Sequence, residues 1–141
     1  MPYQYHEDVS LADVAFPAEA KSLEELLVEG AKATFEVMVR LKDVQPREKK
    51  EIRLEAASPE KLFFSWIEEL IYLKDAEEMV FSKFEVKIKK GQKYSLTGAA
   101  WGEKINPKKH QMNVDVKAIT YHHFKVEETK KGWQAFVILD I

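Results

Sequence analysis

Apolar residues recur along this chain with two different periods, and the switch between them lays out the elements. Val14, Phe16, Ala18 and Ala20 alternate with Ala15, Pro17, Glu19 and Lys21. That period of two predicts a strand, and Pro17, lacking an N–H, assigns it to a sheet edge or a bulge. Ser22-Leu23-Glu24-Glu25 then reads as a capping box, the Ser hydroxyl accepting from an amide three residues on while Glu25 reaches back. Behind it Leu23, Leu26, Leu27, Ala31, Thr34, Phe35, Met38 and Leu41 fall at steps of three and four, an amphipathic helix over 23–41.

A strand is predicted over 51–57, with Ile52, Leu54 and Ala56 on one side. Ser58-Pro59 opens a second helix, Ser as N-cap and Pro in the first turn, where its missing N–H costs nothing. Leu62, Phe63, Trp66, Ile67, Leu70, Ile71 and Lys74 share its stripe. Phe64 and Leu73 widen that stripe, so this helix is expected to be buried more deeply than the first. After Asp75 the period returns to two. Phe84, Val86 and Ile88 lead through the turn Lys90-Gly91-Gln92 into Tyr94, Leu96, Gly98 and Ala100, a hairpin. Residues 102–109 are polar, contain Asn106-Pro107, and read as a loop. Met112, Val114, Val116 and Ala118 start another strand, which 120–126 either continues or partners. Lys130-Lys131-Gly132 is a turn, and Trp133 to Leu139 is apolar on both faces, as in a central strand covered twice.

Strand, helix, strand, helix and then strands only is the order of an α+β fold. Two long helices should pack on a mostly antiparallel sheet of six or seven strands, in a single domain over 1–141. The length of 141 residues suits one domain. No Gly/Ser linker, repeat or low-complexity tract divides it. Residues 1–10 carry His6, Glu7 and Asp8 and no apolar run, and no stretch approaches the roughly 20 residues of a membrane span. The expectation is a cytoplasmic protein without membrane contact.

Composition narrows the chemistry. The chain has no cysteine, which removes disulfides, thiolate metal sites and Cys nucleophiles. Charged residues make up 33%, but 22 basic against 24 acidic leave a net charge of −2, too little for a global field that would gather nucleic acid. Five scattered glycines form no phosphate loop, and no Gly-x-Ser-x-Gly elbow exists. Lys83, Lys87, Lys89, Lys90 and Lys93 make a basic hairpin, read as a solvated edge or as an RNA contact. Asp13 stands at the start of an apolar strand, either solvated or recruited for a cation. Asp140 follows the apolar run 135–139 and is followed by Ile141. Carboxylates this close repel unless a cation neutralises them, and an all-oxygen set suits Ca²⁺ or Mg²⁺ better than zinc. The other reading of Asp140 is a solvated terminus. His110, His122 and His123 match no zinc spacing, and adjacent strand residues point to opposite faces, which separates His122 from His123. Lys117 either snorkels from a sheet edge or neutralises a phosphate or carboxylate.

Taken in order, several segments resemble the archease family over nearly the whole chain. They are Ala12-Asp13-Val14, Ser22 to Leu26, Trp66-Ile67-Glu68-Glu69-Leu70-Ile71-Tyr72-Leu73, Gly102-Glu103, His110, Val116-Lys117-Ala118-Ile119-Thr120-Tyr121-His122 and the closing Asp140-Ile141. The resemblance implies a non-catalytic activator of the GTP-dependent RNA ligase that joins tRNA halves in splicing. Such a protein promotes guanylylation of the ligase and its multiple turnover, and alters its nucleotide specificity. It also implies a divalent cation, calcium ahead of magnesium or manganese, held by Asp13, Asp140 and the Ile141 carboxylate, with Lys117, His110 and Glu103 near that pole. The chain departs from the family pattern in having Ser10-Leu11 where His-Thr is usual and Ala15 where Gly is usual; His6 or Asp8 would have to replace the missing His. Two other classes fit the residues: a stand-alone metal-dependent phosphohydrolase at the same pole, and an RNA-binding or chaperone-like module using the lysine hairpin.

Overall fold

The computed structural model describes residues 13–141; the expectations placed on residues 1–12, including the absence of an apolar leader and the roles of His6, Asp8 and Ser10-Leu11, lie outside them. The elements run β1 (Asp13–Ala20), α1 (Leu23–Met38), a 3₁₀ turn (Leu41–Asp43), β2 (Glu48–Ala56), α2 (Pro59–Glu77), β3 (Met79–Lys90), β4 (Tyr94–Lys104), β5 (Ala118–Thr129) and β6 (Gly132–Asp140). The α+β class and the two helices are as the periodicity predicts. The six strands, however, divide into two antiparallel sheets of three, ordered β1-β6-β5 and β2-β4-β3. Pro17 lies on the edge strand β1, the place in a sheet where a residue without an N–H is tolerated, and the apolar β6 is central.

Both helix starts are capped as their sequences require. Ser22 Oγ accepts from the Glu25 N–H, and Ser58 Oγ from the Lys61 N–H, with Pro59 in the first turn. Each helix packs on strands of both sheets: α1 on β1, β6 and β3, and α2 on β5, β2, β3 and β4. The helix pair is therefore the layer that joins the sheets. This corrects the expectation that α2 is the more buried helix. Nine of the 16 residues of α1 are buried, among them Gly30, Ala31 and Ala33, against eight of 19 in α2. Small residues let α1 sit close to its neighbours; at Gly30 an added methyl would overlap the Phe63 ring of α2, whose Cζ lies 2.6 Å from that position. Trp66 crosses the same contact and donates its indole N–H to the Leu27 carbonyl at 2.9 Å, so a large aromatic is buried with its polar atom satisfied.

Two further differences come from tertiary contacts. Helix α1 stops at Met38 although its stripe continues to Leu41, because Val39 is extended and pairs with Met112. The strand expected from Met112 onward forms only that bridge, and regular pairing begins at Ala118. Residues 105–117 are instead a connector carrying the chain from β4 in one sheet to β5 in the other.

Strand β4 comes very close to β3 at Gly102, beside a bulge between Phe81 and Lys83. A Cβ there would collide with the Val80 carbonyl and sit 2.7 Å from the Phe81 Cα, both backbone atoms that cannot turn away. Gly102→Ala is expected to destabilise the fold by about 3 kcal/mol, the upper range for overpacking; urea unfolding of the two proteins measures it.

Candidate functional site

The β1–β6 ladder sets Asp13 directly opposite Asp140, at the other end of an eight-pair ladder from Ala20 opposite Trp133. On the other side of β6, Ala118 of β5 is the partner of Asp140. Directly opposed residues in an antiparallel pair carry their side chains on one face with Cβ atoms about 5 Å apart. Two acids from remote parts of the sequence thus meet at one end of the first sheet. Asp13, Asp140 and Ile141 are all half-buried there. Lys117 reaches the same end through its backbone, whose N–H donates to the Asp140 carbonyl at 2.8 Å, while its side chain is exposed.

Like charges facing each other across a ladder repel, and Ala118, the other neighbour of Asp140, brings no cation. The donor chemistry fits a hard divalent cation: carboxylates on two directly opposed strand residues, with no nitrogen or sulfur donor in the pair. Among the described residues no three His, Cys, Asp or Glu side chains are arranged to hold a metal ion. Two acidic side chains are what the described residues offer at this pole, and further donors would come from oxygens at Ile141 or from water.

Glu103 and His110 form a cluster of their own. Glu103, at the end of β4, is buried; its carboxylate accepts from the Gln45 backbone N–H at 2.8 Å, from Lys109 Nζ at 2.7 Å to one oxygen, and pairs with Arg47 at 3.6 Å. His110 is 1% exposed, with both ring nitrogens used. Nδ1 accepts from the Asn106 N–H at 3.0 Å, which places the proton on Nε2, where it is donated to Glu103 Oε2 at 3.0 Å. Burial would raise the Glu103 carboxyl, but the Gln45 N–H, the Lys109 ammonium and the His110 N–H outweigh it and hold it down at about 2. The cluster ties the start of the connector to the segment before β2. Both His110 ring nitrogens are thus engaged within this cluster.

His122 and His123 do not point apart as the alternation of a strand predicts. The β5–β6 ladder shifts between Thr120 and Lys125, His123 takes a left-handed φ of 53°, and the two exposed rings lie 4.1 Å apart. Phe64 on α2 explains part of this bulge: Tyr121 stacks on it at 3.8 Å, and Phe124 packs edge-on against it. The lysine hairpin also gains company. Lys83 on β3 and Lys49 on β2 flank Trp101 of β4, with ammonium groups 4.7 and 5.4 Å from its ring.

Sequence reasoning passed over Lys74 as a functional residue. Its ammonium is buried in the last turn of α2, bonded to Asp115 Oδ1 at 2.5 Å, the Val116 carbonyl at 3.0 Å and Asp75 Oδ1 at 2.9 Å. A lysine on an apolar stripe was the available signal.

These observations define an α+β domain of two helices between two three-stranded antiparallel sheets, with an acidic register pair where the first and last strands meet. The Archease protein family (MTH1598/TM1083) model matches residues 3–141, and the chain belongs to the archease family. It is 41% identical over 132 residues to the archease of Pyrococcus abyssi, covering 92% of this chain and 93% of that one, and 39% identical to that of Methanopyrus kandleri over the full length of both. The solution structure of Methanobacterium thermoautotrophicum protein 1598 superposes with a TM-score of 0.87 at 35% identity, covering 99% of each chain. The crystal structure of a Thermotoga maritima archease, described as a possible chaperone, shares the fold with a TM-score of 0.64 at 22% identity over 94% of this chain and 93% of that one. Among the described residues no helix is long and apolar enough to cross a membrane.

The Glu103 cluster predicts a pH dependence. A carboxyl near 2 in the folded state and near 4.5 when free stabilises the fold fully above 4.5, and that contribution is lost as pH falls toward 2. Glu103→Gln is expected to unfold at lower denaturant concentration than the parent at pH 7, with the gap closing between pH 4.5 and 2; denaturant midpoints at a series of pH values check this.

Proposed function

We propose that this protein is an accessory factor of the GTP-dependent RNA ligase of tRNA splicing, working in the cytoplasm through a divalent cation held at the Asp13–Asp140 pole. The observation that carries the proposal is the register of β1 against β6, which opposes Asp13 and Asp140. Membership of the archease family supports this reading, the partner and the reaction being what the resemblance of the motifs implies, and the oxygen-only donor set favours calcium over zinc, with magnesium and manganese as alternatives.

In this reading Asp13 and Asp140 hold the ion from two strands, and Ile141 adds an oxygen beside them. The ladder fixes both aspartates before the ion arrives, so little conformational entropy is lost on binding. The Lys117 N–H, by bonding the Asp140 carbonyl, holds the final residue of β6 from its other side. The exposed Lys117 side chain is placed to meet an anionic group of the partner, such as a nucleotide phosphate. When bound, the cation supplies charge neutralisation for a triphosphate undergoing in-line attack. The protein then contributes position alone, and the ligase provides the nucleophile.

The test is ligase guanylylation and multiple-turnover ligation with and without this protein, across calcium, magnesium and manganese. Asp13→Ala and Asp140→Ala are each expected to lose stimulation by about tenfold or more, the scale of lost metal-site residues. Calcium should raise the melting temperature of the parent and leave both variants unmoved, since an ion that binds only the folded state stabilises it. Full stimulation by both variants defeats the proposal.

A further inference from the structure

The connector over 105–117 lacks regular structure, and residues 111–115 along it are exposed. Its position therefore depends on a few pins. Near its start His110 bonds the Asn106 N–H and Glu103; midway Met112 pairs with Val39 and the Asn113 N–H donates to the Met38 carbonyl at 2.8 Å. At its end the Lys117 N–H donates to the Asp140 carbonyl. Immediately before that bond stands the Lys74 ammonium.

Lys74 is an unusual pin. An ammonium has three N–H donors and no acceptor, and here three oxygens surround it: the carboxylates of Asp75 and Asp115 and the Val116 carbonyl. Burying a charge is costly unless it is paired and fully bonded. This one is 3% exposed, so the three oxygens must stay in place for the charge to stay buried. Asp75 is its helix neighbour and constrains nothing distant. Asp115 and Val116 are some forty residues away, and holding them fixes the two residues that precede Lys117. A leucine would fill the same stripe but would not hold the connector.

We propose that Lys74 is a positioning residue for the acidic pole, clamping residues 115 and 116 to α2 so that Lys117 holds Asp140 in line with Asp13. This rests on the reading of that pole as a cation site. Lys74 touches neither aspartate of the pole by any bond described above; it acts through the connector. Without the clamp, Asp140 keeps its ladder partners Asp13 and Ala118, and the Lys117 bond beside them loses its anchor.

The test uses the full chain and calcium chloride. Lys74→Met keeps the length and packing of the side chain and removes the charge. Asp115, 65% exposed at its side chain, is left hydrated rather than stranded, so the fold should survive. Calcium dissociation constants are measured by calorimetry at a temperature where circular dichroism shows parent and variant fully folded. Lys74→Met is expected to bind calcium about tenfold more weakly, the low end for residues that support metal ligands from behind. Amide exchange at residues 115–117 should rise at the same time. A purely structural lysine would change the melting temperature and leave the affinity of the folded protein alone. Should Lys74→Met fail to fold, Asp115→Ala decides, with a weakening of a few-fold expected. A parent-like dissociation constant in the folded variant overturns this inference and leaves the cation site standing. A parent protein that takes up no calcium overturns both.

Discussion

The pairing of β1 with β6 is the constraint on which the rest depends. It places an early strand beside the last one, brings Asp13 against Asp140, and leaves β6 as the central strand of its sheet. An antiparallel ladder allows no slippage here without penalty. A shift of one residue in β1 would turn Phe16 and Ala18, both buried, toward the face of the exposed Glu19. The burial of that face of β1 thus sets the register, and the register sets which acids meet. Repulsion between two carboxylates, worth a fraction of a kcal/mol to about one across a ladder, is carried by a strand whose position is decided by much larger hydrophobic terms.

The helix pair carries the second constraint. Two sheets of three strands each have a face to cover, and both are covered by the same two helices. For one helix to serve two sheets it must be apolar over more than a narrow stripe. Ala33 and Phe35 of α1 are buried together with Leu26, Ala31 and Met38. The stripe of α1 is legible in its spacing. That the residues beside the stripe are buried as well depends on the second sheet, which no local pattern announces.

The connector shows where periodicity stops being informative. Met112, Val114 and Val116 alternate as a strand would, yet Met112 and Val114 are exposed and only Val116 is buried. What holds this segment is a set of single contacts, to Val39, Met38, Lys74 and Asp140, each from a different element. Similarly, His122 and His123 sit where alternation should separate them, but stacking of Tyr121 on Phe64 and the bulge that accompanies it bring their rings together. In the first place contacts from several elements override the backbone repeat, and in the second a side-chain contact to α2 does.

The sequence by itself determined the α+β class, both helix starts, the β3–β4 hairpin and the central place of β6, because these follow from caps, turns and periods within some twenty residues. It also pointed to Asp13 and Asp140 as odd acids beside apolar strands, and its motifs carried the family. The tertiary structure alone decided that the strands form two sheets, that Glu103 and His110 close on Gln45, Lys109 and Asn106, and that Lys74 is bonded to Asp115 and Val116. Those outcomes join residues with no shared local pattern. Which donor finds which acceptor is settled only when burial has removed water as the alternative partner, and burial is a property of the packed whole.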